Sequence, residues 1–195
     1  MTERPPGSKP PRIVIAEDEA IIRLDLKEML EEEGVDVVGE AADGDAAIRL
    51  AREQRPDLVI LDIKMPGLDG LSAAERIVGE DLAAVLVLTA FSQKDLVRRA
   101  ADAGALGYLV KPFQKSDLMP AIEIALARYS QMTAVKSEAA SLAEQLETRK
   151  VIDRAKGKLI DEQGLSEADA FRFIQKKAMD DRVSMRSVAE GLLGS

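Results

Sequence analysis

Leu58-Val59-Ile60-Leu61-Asp62-Ile63-Lys64-Met65-Pro66-Gly67-Leu68-Asp69-Gly70 decides the fold of this chain. Four apolar residues run straight into Asp62, and Pro66 and Gly67 break the backbone just beyond it. A short apolar run between breakers reads as a strand buried on both faces, as in a parallel sheet. Asp62 then stands at the carboxyl end of that strand, the edge where open α/β sheets bind ligands. A lone Asp there could equally cap a turn. The other strand ends decide between the two readings.

Working outward, the same pattern recurs. Arg12 to Ala16 is a first strand, followed by Glu17-Asp18-Glu19 and by apolar residues at helical spacing as far as Gly34. Val35 to Ala41 is a second strand and Asp43 to Glu53 a second helix. A helix over about Leu71 to Val78 follows the central strand. Ala84 to Thr89 is a fourth strand, with a helix from Gln93 to Ala103. Gly107 to Val110 is a fifth, ending at Lys111-Pro112, and another helix begins near Ser116. Strands alternating with helices predict βαβ units with right-handed crossovers around a parallel sheet.

The residues just past the strand ends are Glu17 and Asp18, then Asp62, Thr89 and Lys111. All open on one edge of one sheet. Three crowded carboxylates repel one another unless a cation neutralises them. With oxygen ligands only, Mg²⁺ is the natural choice. Asp62 would be a nucleophile toward a phosphoryl group, with Lys111 offsetting charge and Thr89 donating a hydroxyl. Each residue also has a plainer reading. The acids could begin a helix, Thr89 could cap one, and Lys111 could be a solvated lysine before a turn.

Glu17-Asp18, Leu61-Asp62-Ile63-Lys64-Met65-Pro66, Leu88-Thr89-Ala90 and Tyr108-Leu109-Val110-Lys111-Pro112-Phe113 together resemble the receiver domain of two-component response regulators. The resemblance covers roughly Arg12 to Arg128. It implies a doubly wound five-stranded α/β sheet of order 2-1-3-4-5. It implies phosphate transfer to Asp62 from a sensor histidine kinase, with Mg²⁺ held by Glu17, Asp18, Asp62 and the Lys64 carbonyl. It also implies a cis Lys111–Pro112 bond and a switch pair of Thr89 and Tyr108. Glu17 stands where many relatives carry Asp, a change expected to shift metal affinity rather than abolish it. Tyr108 could instead be a half-buried strand aromatic.

Beyond Ser116 the helical pattern continues without a strong breaker, and Pro120 is expected in its first turn, where proline is tolerated. Met132, Val135, Ala139, Leu142 and Leu146 are spaced 3, 4, 3, 4, an a/d seam. It predicts a linking, coiled-coil-like helix over 116–148, joining two copies as a parallel homodimer when phosphorylated. The alternative is a helix packed against its own receiver or output domain.

The remainder reads as a small all-α domain of three helices. The first continues through Leu146 to Ile160 with Ile152, Ala155 and Leu159 inward, and Gly164 ends it. Ser166 caps the second, whose apolar face is Ala170, Phe171, Ile174, Ala178 and Met179. Ser184 caps the third. Lys150, Arg154 and Lys158 fall at i, i+4 and i+8, a basic stripe on one outer face or simply a solvated one. Gly157 inside a helix suggests a close approach by another helix or by a ligand backbone. Arg149-x-x-Ile152-x-x-Ala155-Lys156-Gly157-x-Leu159-Ile160, with Gly164-Leu165-Ser166-Glu167, Ala170-Phe171 and Val188-Ala189-Glu190, resembles the ANTAR domain, the RNA-binding module of bacterial antitermination regulators. This resemblance runs over 142–195. It implies binding of paired RNA hairpins in nascent transcripts, with contacts expected from Arg149, Arg154, Lys156, Gly157, Lys158, Arg172 and Lys176. Two competing readings are a DNA-binding response regulator with a helix-turn-helix output and a receiver with a protein-docking helical tail.

Bulk properties fit this division. With 195 residues, 46% of them hydrophobic, the chain can build one or two cores. The absence of cysteine and histidine excludes disulfides, Cys/His metal sites and a Ser–His nucleophile. From Lys136 onward there are 11 basic and 11 acidic residues, so the net charge of −8 lies in residues 1–135. Arg149 to Lys158 holds five basic residues against Asp153 alone. Residues 1–11 are Pro-rich and expected to be a disordered tail, without the apolar core of a secretory signal. No apolar run nears the ~20 residues of a membrane span. A cytoplasmic protein without membrane contact is expected, and no enzyme active site beyond the receiver's own phosphotransfer is evident.

Overall fold

A computed structural model describes residues 9–90 and 94–194. Residues 1–8 of the tail expected over 1–11, and the expected helix start at Gln93, lie outside the described residues, while the Pro11 carbonyl accepts the Asp36 N–H at 3.0 Å. The chain divides into two compact units, one ending at Met132 and the other beginning at Thr133.

In the first unit the strands are β1 (Arg12–Ala16), β2 (Asp36–Ala41), β3 (Leu58–Asp62), β4 (Ala84–Thr89) and β5 (Gly107–Val110). All pair in parallel in the order β2-β1-β3-β4-β5. This is the doubly wound α/β fold expected from the sequence. The helices α1 (Ala20–Glu32), α2 (Gly44–Gln54), α3 (Gly70–Gly79) and α4 (Lys94–Asp102) alternate with the strands, and α5 (Lys115–Gln163) follows β5.

Strand alternation builds two cores. Val14, Val59, Leu61, Val85 and Val87 pack with Ile48, Ala51, Ile77 and Ala100 from α2, α3 and α4. Ile13, Ile15, Leu58, Ile60, Leu86 and Leu88 point the other way, onto Leu26, Leu30, Leu118 and Ile122 from α1 and α5. Covering both faces is why β3 and β4 are apolar up to their last residue rather than alternating.

In the second unit the later part of α5, α6 (Glu167–Asp181) and α7 (Met185–Gly194) enclose Ala155, Leu159, Ala170, Ile174, Ala178, Val188 and Ala189. Ser166 accepts the Asp169 N–H at the start of α6, and Ser184 accepts the Ser187 N–H before α7. Gly164 has φ +66°, the left-handed conformation in which helices commonly end. About 60 residues with small core side chains make a minimal core.

Four details differ from the sequence expectations. Pro120 is not in the first turn of its helix but six residues in, so it removes one main-chain donor at an exposed position. Phe171 and Met179 are not on the buried face of α6 but 42% and 73% exposed, because Ala170, Ile174 and Ala178 already fill the narrow stripe against α5 and α7. Gly157 admits no close helix: a Cβ there would meet nothing within 4 Å. Lys158 turns from the outer face toward α7, as described below. The seam residues Met132, Val135, Leu142 and Leu146 are 46%, 66%, 58% and 54% exposed.

Candidate functional site

The sheet brings every sequence-selected pocket residue to one edge. Glu17 and Asp18 follow β1, Asp62 ends β3, Thr89 ends β4, and Lys111 follows β5. Glu17 is wholly buried, and Asp62 and Thr89 are nearly so. Asp18 is exposed. Glu17, Asp18 and Asp62 can each present a carboxylate oxygen within 4.8 Å of the other two.

Lys111 supplies the compensating charge. Its ammonium lies 3.1 Å from Asp62 Oδ1 and hydrogen-bonds Glu17 Oε2. Burial raises the pKa of Glu17, opposed by the hydrogen bond from Lys111 and reinforced by Asp62. Burial likewise raises that of Asp62, opposed by Lys111 and reinforced by Asp18. For Lys111, burial favours the neutral amine, but its pairs with Glu17 and Asp62 prevail and raise its pKa. The pocket therefore holds more negative charge than one ammonium comfortably offsets. Three converging oxygens without nitrogen or sulfur donors fit a hard divalent cation such as Mg²⁺.

Lys64 is exposed in the loop after Asp62, and the Lys111–Pro112 peptide is cis. The Lys111 N–H donates to the Thr89 carbonyl at 2.7 Å, tying together the ends of β4 and β5. Thr89 is buried and Tyr108 is 46% exposed on β5.

Gly70 also shapes this site, and sequence reasoning passed over it. A Cβ on Gly70 would stand 1.9 Å from the Asp62 carbonyl oxygen. Only glycine lets α3 start this close to the end of β3. Its signal was the second glycine of Pro66-Gly67-Leu68-Asp69-Gly70, immediately after the Asp69 cap.

The expected RNA contacts are placed unequally. Lys156 is largely buried, with its ammonium 2.8 Å from Asp153 and 2.9 Å from Glu167, so it clasps α5 to the start of α6. The Lys158 ammonium donates to the Leu192 carbonyl at 2.8 Å and holds α7. Arg172 pairs with Asp169 at 2.9 Å within α6, and Lys150 pairs with Glu147. Arg149 is highly exposed, 3.9 Å from Asp153. Arg154 and Lys176 are exposed and make no ion pair among the described residues. Between α5 and α6 lies an open groove of about 530 Å³ with Thr148, Arg149, Ile152 and Phe171 on its walls.

The profile of the response regulator receiver domain matches residues 13–123, and that of the ANTAR domain residues 140–193. The chain belongs to the response regulators that join a receiver to an ANTAR domain, a regulatory family rather than an enzymatic one. It is 57% identical over 184 residues to the transcriptional regulatory protein PdtaR of Mycobacterium tuberculosis, covering 94% of this chain and 90% of that protein. Among solved structures it resembles the receiver domain of the response regulator NarL from M. tuberculosis. That match has a TM-score of 0.60 and 32% identity, over 62% of this chain and 98% of that one. It also resembles a chain of the CheX-CheY-BeF₃-Mg²⁺ complex of Borrelia burgdorferi, with a TM-score of 0.55 and 26% identity over 58% and 87% of the two chains. Receiver domains interact with histidine kinases and ANTAR domains bind RNA. No helix among the described residues is long and apolar enough to cross a membrane.

Proposed function

We propose that this chain is a phosphorylation-dependent transcription antiterminator. The observation that carries the reading is the juxtaposition of Asp62 with Glu17, Asp18 and Lys111 at one sheet edge. Asp62 attacks the phosphorus of a kinase phosphohistidine. The P–N bond breaks, and the phosphoryl group passes to the carboxylate as an acyl phosphate. Glu17, Asp18, Asp62 and the Lys64 carbonyl would hold Mg²⁺, which would offset charge on the phosphoryl oxygens. Lys111 then exchanges part of its contact with Asp62 for the phosphoryl group. Thr89 donates its hydroxyl to that group, and Tyr108 follows it inward, changing the surface formed by α4, β5 and α5.

The changed surface favours pairing of two copies in the cytoplasm. The exposed seam Met132, Val135, Ala139, Leu142 and Leu146 supports this step, since uncovered apolar residues at a/d spacing are stabilised by a partner helix. Paired output domains match paired RNA hairpins in a nascent transcript and prevent a terminator from forming. Arg149, Arg154 and Lys176 take the phosphates, and Gly157 leaves room for close approach. Lys156 and Lys158 contribute mainly by holding the helices in place, while Arg172 stands exposed beside Asp169 on α6.

Mass spectrometry of the chain after incubation with acetyl phosphate and Mg²⁺ tests the first step. One phosphoryl group on Asp62 is expected. A phosphoryl group that persists in Asp62→Asn would place the acceptor elsewhere.

A further inference from the structure

The loop that carries Glu17 and Asp18 is anchored in an unusual way. Helices α2 and α3 begin on Asp43 and Asp69, whose carboxylates accept the N–H groups of Ala46 and Ser72 at 2.7 and 2.8 Å. Helix α1 has no such cap: its N-cap residue, Glu19, makes no side-chain capping bond, and its first turn holds no acid. Instead a cation, Arg23, sits in that turn, where the helix macrodipole disfavours positive charge. A local rule broken without local compensation marks a constraint from elsewhere in the fold.

That constraint is visible in where Arg23 reaches. Its side chain leans toward the helix N-terminus, as long helical side chains do. Nη1 donates to the Glu17 carbonyl at 2.5 Å. Nε faces Glu40 on β2 at 3.6 Å, while Lys27 holds the other oxygen of Glu40 at 2.6 Å. On the other side of Glu17, its N–H donates to the Ala41 carbonyl at 3.1 Å. Both peptide planes flanking Glu17 are therefore fixed, one by the sheet and one by Arg23. The second plane sets the direction in which Asp18 leaves the strand. Asp18 is the exposed member of the carboxylate trio, so it has least burial to order it.

We propose that Arg23, braced by Glu40, is a positioning residue for the divalent-cation site. By holding the Glu17–Asp18 peptide it fixes the two carboxylates before the cation arrives. Groups that orient ligands without touching the metal typically change affinity by about 10- to 100-fold. Arg23 acts through a backbone carbonyl, so the lower end applies. The inference rests on the cation site described above. A simple surface ion pair would leave cation affinity unmoved on removal.

The test uses the full chain and Mg²⁺. Isothermal calorimetry gives the Mg²⁺ affinity of the wild type, Arg23→Ala, Arg23→Lys and Glu40→Gln. The rate of phosphoryl uptake from acetyl phosphate is measured against Mg²⁺ concentration, and thermal unfolding is recorded in chelator. Arg23→Ala should weaken Mg²⁺ about tenfold and raise the half-saturating Mg²⁺ to match. Its plateau rate at saturating Mg²⁺ should stay close to the wild type's, since Arg23 touches no reacting atom. Arg23→Lys, whose ammonium can reach the same carbonyl, should recover part of the loss. Glu40→Gln should shift affinity the same way by less, and it carries the test if Arg23→Ala does not fold. Wild-type Mg²⁺ affinity in folded Arg23→Ala and Glu40→Gln would overturn the role of Arg23 alone. So would a reduced plateau with an unmoved Mg²⁺ midpoint. A wild-type chain that binds no Mg²⁺ would overturn the cation site itself and the role of Arg23 with it.

Discussion

The Lys111 ammonium lies 3.1 Å from Asp62 Oδ1, and the same group hydrogen-bonds Glu17. One cation thus serves two buried carboxylates, with Asp18 alongside. The arrangement favours whatever brings further positive charge or removes negative charge.

Removing charge has a predictable sign. Burial raises the pKa of Asp62 above its ordinary 3.8. The folded chain therefore binds that proton more tightly than the unfolded chain. Its contribution to metal-free stability declines as pH rises from the ordinary value through the raised one. Asp62→Asn abolishes the penalty, so its unfolding temperature in chelator at neutral pH should rise by a few degrees, while Mg²⁺ binding and phosphorylation are lost. Cation binding requires Glu17 and Asp62 deprotonated, and both pKa values are raised, so the wild-type Mg²⁺ affinity should fall on acidification at a higher pH than for ordinary carboxylates. Calorimetry across pH checks this. An unchanged unfolding temperature in Asp62→Asn would mean Lys111 already compensates fully.

Gly70→Ala places a methyl group where the Asp62 carbonyl oxygen stands 1.9 Å away. Backbone must move, and an overpacked site of this kind costs about 3 kcal/mol. Chemical denaturation should show that loss, and phosphoryl uptake should fall even under conditions where the variant is folded. Gly67→Ala is a useful contrast. It carries strain from a φ of +73° but meets nothing within 4 Å, so β3 stays in place.

The pocket was legible because strand ends are marked strongly in sequence. β3 and β4 are unbroken apolar runs, and each stops at a polar residue of the pocket, Asp62 or Thr89. The fold followed from the same alternation. What was not legible depends on contacts between distant segments. Arg23 and Glu40 are 17 positions apart and meet only because β1 pairs with β2. Lys156 and Lys158 share a helix with Arg154, and spacing alone could not show that α6 and α7 would claim two of the three. In sequence the apolar face of α6 looks wide enough to bury Phe171 and Met179. The three-helix unit is small enough that alanines close it.

The output domain separates these roles by mutation. Arg154→Ala should lower RNA affinity and reduce the slope of log affinity against log salt by about 1, with the unfolding temperature unchanged. Lys156→Ala should instead lower the unfolding temperature, because it leaves Asp153 and Glu167 without their shared cation. Thermal unfolding and filter binding across salt concentrations distinguish them. A Lys156→Ala chain of undiminished stability would return that lysine to the RNA-facing set.

Leu142 and Leu146 are more than half exposed, so a lysine at either position leaves the folded units intact. The double substitution Leu142→Lys and Leu146→Lys should prevent dimerisation under phosphorylating conditions without lowering helix content. Sedimentation velocity with acetyl phosphate and Mg²⁺ gives the answer. A variant that dimerises as well as the wild type would remove the seam from the interface.

In the proposed function, phosphorylation at Asp62 controls RNA binding by the output domain. The most direct measurement is the affinity for a pool of tandem-hairpin RNAs with randomised loops, beside duplex DNA of equal length. It is made at fixed near-physiological salt, with and without acetyl phosphate and Mg²⁺. Tighter binding to a subset of tandem hairpins under phosphorylating conditions is expected, with no gain in Asp62→Asn. Binding that prefers duplex DNA, or hairpin binding indifferent to phosphorylation, would contradict it.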